Sequence, residues 1–84
     1  MFTVYVLYSV AFEKIYIGYT SDIEKRVDSH NRLATKGFTL KYRPWIVLYS
    51  EAFTSKSEAI KREKQLKGGK GRAFIKDLIR EKYG

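Results

Sequence analysis

Two alternating runs near the start of the chain restrict its fold more than any other feature. They are Phe2-Thr3-Val4-Tyr5-Val6-Leu7-Tyr8-Ser9-Val10 and Lys14-Ile15-Tyr16-Ile17-Gly18-Tyr19-Thr20. Both are rich in β-branched and aromatic residues, which suit pleated strands. Successive side chains on a strand point to opposite faces. Phe2, Val4, Val6, Tyr8 and Val10 therefore share one face of the first run, and Ile15, Ile17 and Tyr19 one face of the second. A hairpin through Ala11-Phe12-Glu13 that lays these apolar faces together fixes the register. It also brings Tyr5 and Tyr16 together on the opposite face, with Gly18 leaving room beside them. Whether these tyrosines do chemistry or only pack is left open by the hairpin alone.

Downstream, Ser21-Asp22-Ile23-Glu24 reads as a helix start, with Ser21 and Glu24 at capping-box spacing. Ile23, Val27, His30 and Ala34 form its inward stripe, and Arg26 and His30, four apart, lie on one flank. Each of these two also has an ordinary reading, a solvated arginine and a boundary histidine. Thr35 to Tyr42 shows no period and reads as a loop closed by Arg43-Pro44. Its Lys36, Lys41 and Arg43, with Phe38 and Tyr42, suit a face for nucleic acid or an exposed connector. The nearly continuous apolar run Trp45-Ile46-Val47-Leu48-Tyr49-Ser50, finished by Glu51-Ala52-Phe53, predicts a third strand in the centre of the sheet. Ser55-Lys56-Ser57-Glu58 opens a second helix that runs to about Lys67 and stops at Gly68-Gly69. A third helix is expected over Ala73 to Tyr83, with Phe74, Ile75, Leu78 and Ile79 inward. Gly68-Gly69-Lys70-Gly71-Arg72 lacks the spacing of a P-loop and follows no strand, so it reads as a helix stop whose basic residues face a nucleic-acid backbone.

Glu63 falls inside the apolar stripe of the second helix, beside Ala59, Ile60 and Leu66. A carboxylate on an inward face loses hydration and needs a cation, a metal or a donor in compensation. An ion pair with one of the many lysines and arginines satisfies that need. So does a divalent ion held by one carboxylate, substrate phosphate and waters, as Mg²⁺ commonly is.

The charge balance narrows the partner. Seventeen Lys and Arg against nine Asp and Glu give a net charge of +8 and a pI near 9.8. On 84 residues, expected to form one domain over 1–84, that points to a polyanion. The basic residues are interleaved with aromatics rather than gathered in a tail, which favours nucleic acid over an acidic membrane surface or a charge kept for solubility. A hydrophobic content of 44% is enough for a core. The absence of cysteine rules out disulfides and thiolate metal sites and suits a reducing compartment. The N-terminus alternates like a strand rather than a leader, and no apolar run approaches the roughly 20 residues of a membrane span. A cytoplasmic setting is expected.

Tyr16-Ile17-Gly18, preceded by an extended segment carrying Tyr5, resembles the core of the GIY-YIG nuclease superfamily. The second motif matches letter for letter; of the first, Thr3-Val4-Tyr5 keeps only the tyrosine. The order β-β-α-β-α-α is similar to the small α+β domain of that superfamily, a three-stranded antiparallel sheet flanked by helices. Glu58 to Lys67 resembles its compact, stand-alone bacterial branch. The resemblance implies an active site of Tyr5, Tyr16, Arg26 and Glu63, with His30 matching a histidine of the same helix in several branches. Glu63 would anchor one Mg²⁺ or Mn²⁺, Arg26 would clamp the scissile phosphate, and Tyr16 would position the attacking water. Either Tyr5 or His30 would take its proton. The implied activity is hydrolysis of phosphodiesters in DNA, structure- or damage-related. The alternative is a binding module of the same fold with weak or no turnover, and an adaptor docking on an acidic protein is more remote. Lys14, Lys36, Lys41, Arg43, Lys67, Lys70 and Arg72 are the expected nucleic-acid contacts. The missing first-motif glycine and the bare core imply weak cutting or a protein partner that supplies specificity.

Overall fold

The computed structural model describes residues 1–33 and 41–83, with only the backbone of Leu33. Strands β1 (Phe2–Ser9) and β2 (Lys14–Thr20) form the expected antiparallel hairpin. Its turn places Glu13 at a positive φ of 53°. Tyr5 pairs with Gly18, Val6 with Ile17 and Leu7 with Tyr16. Face matching therefore sets the register as the alternation requires. Helix α1 (Ile23–Asp28) continues into a π-helical turn, Ser29–Leu33. Strand β3 (Ile46–Phe53) and helices α2 (Lys56–Lys67) and α3 (Gly69–Tyr83) complete the order β-β-α-β-α-α.

The sheet order is β2-β1-β3, with both pairs antiparallel. The middle strand is thus β1, and β3 is an edge, contrary to what its apolar run suggests. The reason is a bulge. Val6 pairs with Tyr49 and Leu7 with Val47, which leaves Leu48 as an extra residue in β3. A bulge puts two residues against one and breaks strict alternation. Leu48 and Tyr49 both join the core on the helical side of the sheet, while Ile46 and Val47 stay 38% and 42% exposed. The run is continuous because one face is served twice, not because both faces are buried.

On the α2–α3 side, Val4, Val6, Tyr8 and Leu48 pack with Ala59, Leu66 and Ile75. On the other side, Tyr5, Leu7 and Trp45 form a second cluster, joined by Tyr16, Ile23, Val27 and Tyr42. The first strand is thus buried on both faces.

Two boundaries differ from the sequence reading. The cap of α1 is Asp22, whose Oδ1 accepts from the Lys25 N–H at 3.1 Å, rather than Ser21. Thr20 Oγ1 accepts from the Asp22 N–H, and this local turn shifts the start by one residue. Ser55 caps α2 as expected, accepting from the Glu58 N–H at 3.2 Å. Helix α3 begins at Gly69, four residues before Ala73, so the glycine-lysine segment is its first turn. Gly71 is buried there because a Cβ would fall on the Gln65 carbonyl and the Leu66 backbone. Close approach of two helices, not a helix stop, explains that glycine. Phe74, expected inward, is 37% exposed and packs edge-on against Tyr49 at 5.1 Å. Ala34 and the loop residues Thr35, Lys36, Gly37 and Phe38 lie outside the described residues.

Candidate active site

The second face of the hairpin presents Tyr5 from β1 and Tyr16 and Gly18 from β2. The rings of Tyr5 and Tyr16 stack with centroids 6.4 Å apart and planes 21° apart. Gly18 is what makes room. A Cβ at that position would stand 2.6 Å from the Tyr5 hydroxyl and 2.9 Å from its ring carbon. The expectation drawn from the alternation, two tyrosines with a glycine-sized gap beside them, is met.

An open cleft of about 410 Å³ lies beside this gap. Tyr5, Tyr16, Gly18, Arg26 and Glu63 all line it, with Lys56 and Lys67 at its margin. Four of the expected catalytic side chains, from β1, β2, α1 and α2, therefore converge on one concavity. His30 does not line the cleft. It stands behind the tyrosines, 7% exposed, with its ring 4.7 Å from that of Tyr16 and its Nε2 3.3 Å from the Tyr5 hydroxyl. The α spacing put Arg26 and His30 on one flank. From Ser29 the helix winds wider, in a π turn, and the arginine faces solvent in the cleft while the histidine is enclosed.

Burial sets the protonation states. Tyr5 is 2% exposed, and loss of hydration, reinforced by Tyr16, pushes its phenol up to about 12 against the opposing pull of Arg26. At neutral pH it is a phenol, not a phenolate. His30 is pushed below the usual imidazole value, first by burial and then by the Arg26 charge. Its neutral ring can accept the Tyr5 O–H at Nε2, which assigns the remaining ring proton to Nδ1.

Glu63 is half-buried, with 16% of its side chain exposed, and its Oε1 accepts from Lys67 Nζ at 3.3 Å. Among the described residues it is the sole carboxylate lining the cleft, and no three His, Cys, Asp or Glu side chains gather into a metal cage. This donor chemistry fits an ion completed by substrate oxygens and waters, as Mg²⁺ takes. It does not fit an ion held by protein alone. Arg26 makes no ion pair among the described residues, and its exposed guanidinium can donate to an anion in the cleft.

The expected nucleic-acid contacts divide. Lys67 lines the cleft and, with Arg72, an adjoining groove of about 340 Å³ along Ile15, Tyr16 and Ile17. Lys14, on the sheet face of Tyr16, and Lys41 hold their ammonium groups 5.5 and 5.4 Å from the Tyr42 ring. Lys70 lies in a hollow between α2 and α3 that shares no lining residue with the cleft. Arg43 directs Nη1 to the Asn31 carbonyl at 2.6 Å. Lys36 is outside the described residues. The sequence reading missed Lys56, the first residue of α2 after its cap, because nothing in its spacing marks it as facing the cleft.

A family model described as the GIY-YIG catalytic domain matches residues 1–76. A UPF0213 protein of Staphylococcus haemolyticus is 42% identical over 53 residues, 63% of this chain and 65% of that relative. A UPF0213 protein of Staphylococcus saprophyticus is 45% identical over a stretch of the same length. The chain thus spans about two thirds, 65%, of the curated relatives it matches. The solution NMR structure of a UPF0213 protein from Bacillus halodurans superposes with a TM-score of 0.54 at 29% identity, covering 100% of this chain and 88% of that one.

Proposed function

The chain belongs to the GIY-YIG catalytic domain family, a nuclease-type family, and from that premise we propose that it is a divalent-metal-dependent endonuclease hydrolysing phosphodiester bonds in DNA. The observation that supports this reading is the convergence of Tyr5, Tyr16, Arg26 and Glu63 on one basic cleft cleared by Gly18. Binding alone would need no carboxylate there.

Glu63 is the residue that would hold a Mg²⁺ or Mn²⁺ ion, releasing Lys67. Such an ion, when bound, supplies Lewis-acid chemistry at a phosphate oxygen. Arg26 donates to the non-bridging oxygens of the scissile phosphate and gains most where charge builds in the transition state. Tyr16 orients the attacking water. A phenol whose pKa lies near 12 is a poor proton acceptor at neutral pH. The proton path therefore runs in two transfers. The water gives its proton to the Tyr5 oxygen as Tyr5 gives its own to His30 Nε2. The new P–O bond forms, the bond to the leaving oxygen breaks, and that oxygen is protonated from solvent. Tyr5 ends neutral and His30 cationic, to be discharged to solvent before the next turnover.

Lys67 and Arg72 in the groove along Tyr16, and Lys14 and Lys41 over the Tyr42 ring, are the cations that would follow the DNA backbone away from the cut. Affinity should then fall steeply with salt, through release of counterions. Cleavage of plasmid and branched DNA with Mg²⁺ or Mn²⁺, against a chelator control, tests the proposal. DNA binding without cutting under all these conditions would leave a binding module, with Glu63 as the partner of Lys67.

A further inference from the structure

His30 owes its place to the residue after it. Asn31 lies in the π-helical turn, and its side-chain amide pairs twice with the main chain of Trp45. Nδ2 donates to the Trp45 carbonyl at 2.9 Å, and Oδ1 accepts from the Trp45 N–H at 2.6 Å. The backbone of Asn31 is tied to the same segment, since its carbonyl accepts from Arg43 Nη1 at 2.6 Å. One side chain thus acts as a peptide group would in a strand pair, and only an amide of this length offers a donor and an acceptor in that arrangement.

The consequence reaches the cleft. Trp45 is 2% exposed and packs in the cluster of Tyr5 and Leu7, with its ring edge-on to Tyr16 at 6.4 Å. The turn that carries His30 is therefore pinned to the residue that walls the two tyrosines. We propose that Asn31 is a positioning residue, holding the His30 imidazole against the Tyr5 hydroxyl by clamping the π turn to Trp45. Asn31 touches neither substrate nor the reacting atoms. The inference rests on the proton path proposed above, but its geometry stands without it. Among the described residues, the titratable and charged groups that bear on His30 are the Tyr5 hydroxyl, Tyr16 and Arg26. Removing the Asn31 amide adds and removes no charge among them.

His30 is the only histidine in the chain, so its ring protons give one resolvable NMR titration. Asn31→Ala should move that titration upward, toward the 6.5 of an unperturbed imidazole, and weaken ring-to-ring cross-peaks between His30 and Tyr5. In cleavage assays it should lower kcat about 10- to 100-fold, the scale of a small misplacement near the reacting atoms. KM should stay within about twofold, because Arg26, Lys56 and Glu63 are untouched. Leu78→Ala, in the core on the other side of the sheet, controls for general destabilisation and should leave the His30 titration in place. If Asn31→Ala does not fold, Asn31→Ser, which cannot make both hydrogen bonds, carries the same comparison. A His30 titration and cross-peaks unchanged by the substitution, or shifted equally by Leu78→Ala, would overturn the proposal. Because the NMR readout needs no turnover, it decides the clamp even if the wild-type protein cuts no DNA.

Discussion

The Tyr5 hydroxyl and the Nε2 of His30 stand 3.3 Å apart, the phenol lining the cleft and the imidazole enclosed behind it. Burial raises the pKa of the first and lowers that of the second. Both groups are consequently neutral at pH 7, one ready to donate and the other to accept.

Under the proposed proton path, this pairing sets the pH dependence expected of cleavage. The neutral imidazole must be present, so kcat should rise with pH through an inflection below 6.5 and then level off. His30→Gln should remove that inflection and lower kcat by about 10²-fold or more. A profile whose first inflection lies above pH 8, and persists in His30→Gln, would assign the proton acceptor elsewhere.

Stability should follow the same two groups with opposite signs. His30 has a lowered pKa when folded, so the unfolded chain binds the proton more readily, and stability is lost as pH falls below about 6.5. Tyr5 has a raised pKa, so its contribution is intact below about 10 and is lost as pH rises toward about 12. Denaturant midpoints measured across pH should show both limbs. Tyr5→Phe should flatten the alkaline one and His30→Gln the acid one.

Gly18→Ala should damage activity more than a surface change of the same size. The added methyl meets the Tyr5 hydroxyl and ring, which are buried and placed against His30, so the tyrosine must shift from that contact. A stability loss of about 1–3 kcal/mol is expected from overpacking. Gly71→Ala should cost at least as much, because the methyl meets main chain rather than the end of a side chain. Thermal melts rank the two, and cleavage assays separate them. Gly71→Ala, where it folds, should retain kcat.

Arg26→Ala should lower kcat about 10²- to 10³-fold, the usual loss when a transition-state donor is removed. Its effect on DNA affinity should be small beside that of removing Lys67 and Arg72 together. Salt titrations of binding would show it, since each lost phosphate contact lowers the slope by about one.

The hairpin was legible because period-two alternation assigns each residue a face and the two apolar faces must match. The roles expected of Arg26 and Glu63 came from the resemblance to GIY-YIG nucleases. The tyrosine pair, Gly18 and the inward Glu63 all followed from which face each residue occupies. The edge position of β3 was not legible, since a bulge at Leu48 mimics the continuous apolar run of a buried strand. Gly69 and Gly71 read as a stop, yet their segment is a helical turn in close contact with α2, and only tertiary packing distinguishes the two. The enclosure of His30 behind the tyrosines depends on a π turn and on the Asn31–Trp45 pairing, and neither has a local sequence signal. Lys56 entered the cleft unannounced for the same reason.

The most direct test compares wild type with Glu63→Gln for nicking of supercoiled plasmid in Mg²⁺ or Mn²⁺, with DNA affinity and stability measured on the same samples. Half of the Lys67 side chain is exposed, so losing its ion pair with Glu63 should change stability by less than about 1 kcal/mol. The account predicts chelator-sensitive nicking by wild type and none by Glu63→Gln, at nearly unchanged affinity and stability. Nicking that survives in Glu63→Gln, or a wild type that binds DNA and never cuts it, would contradict it.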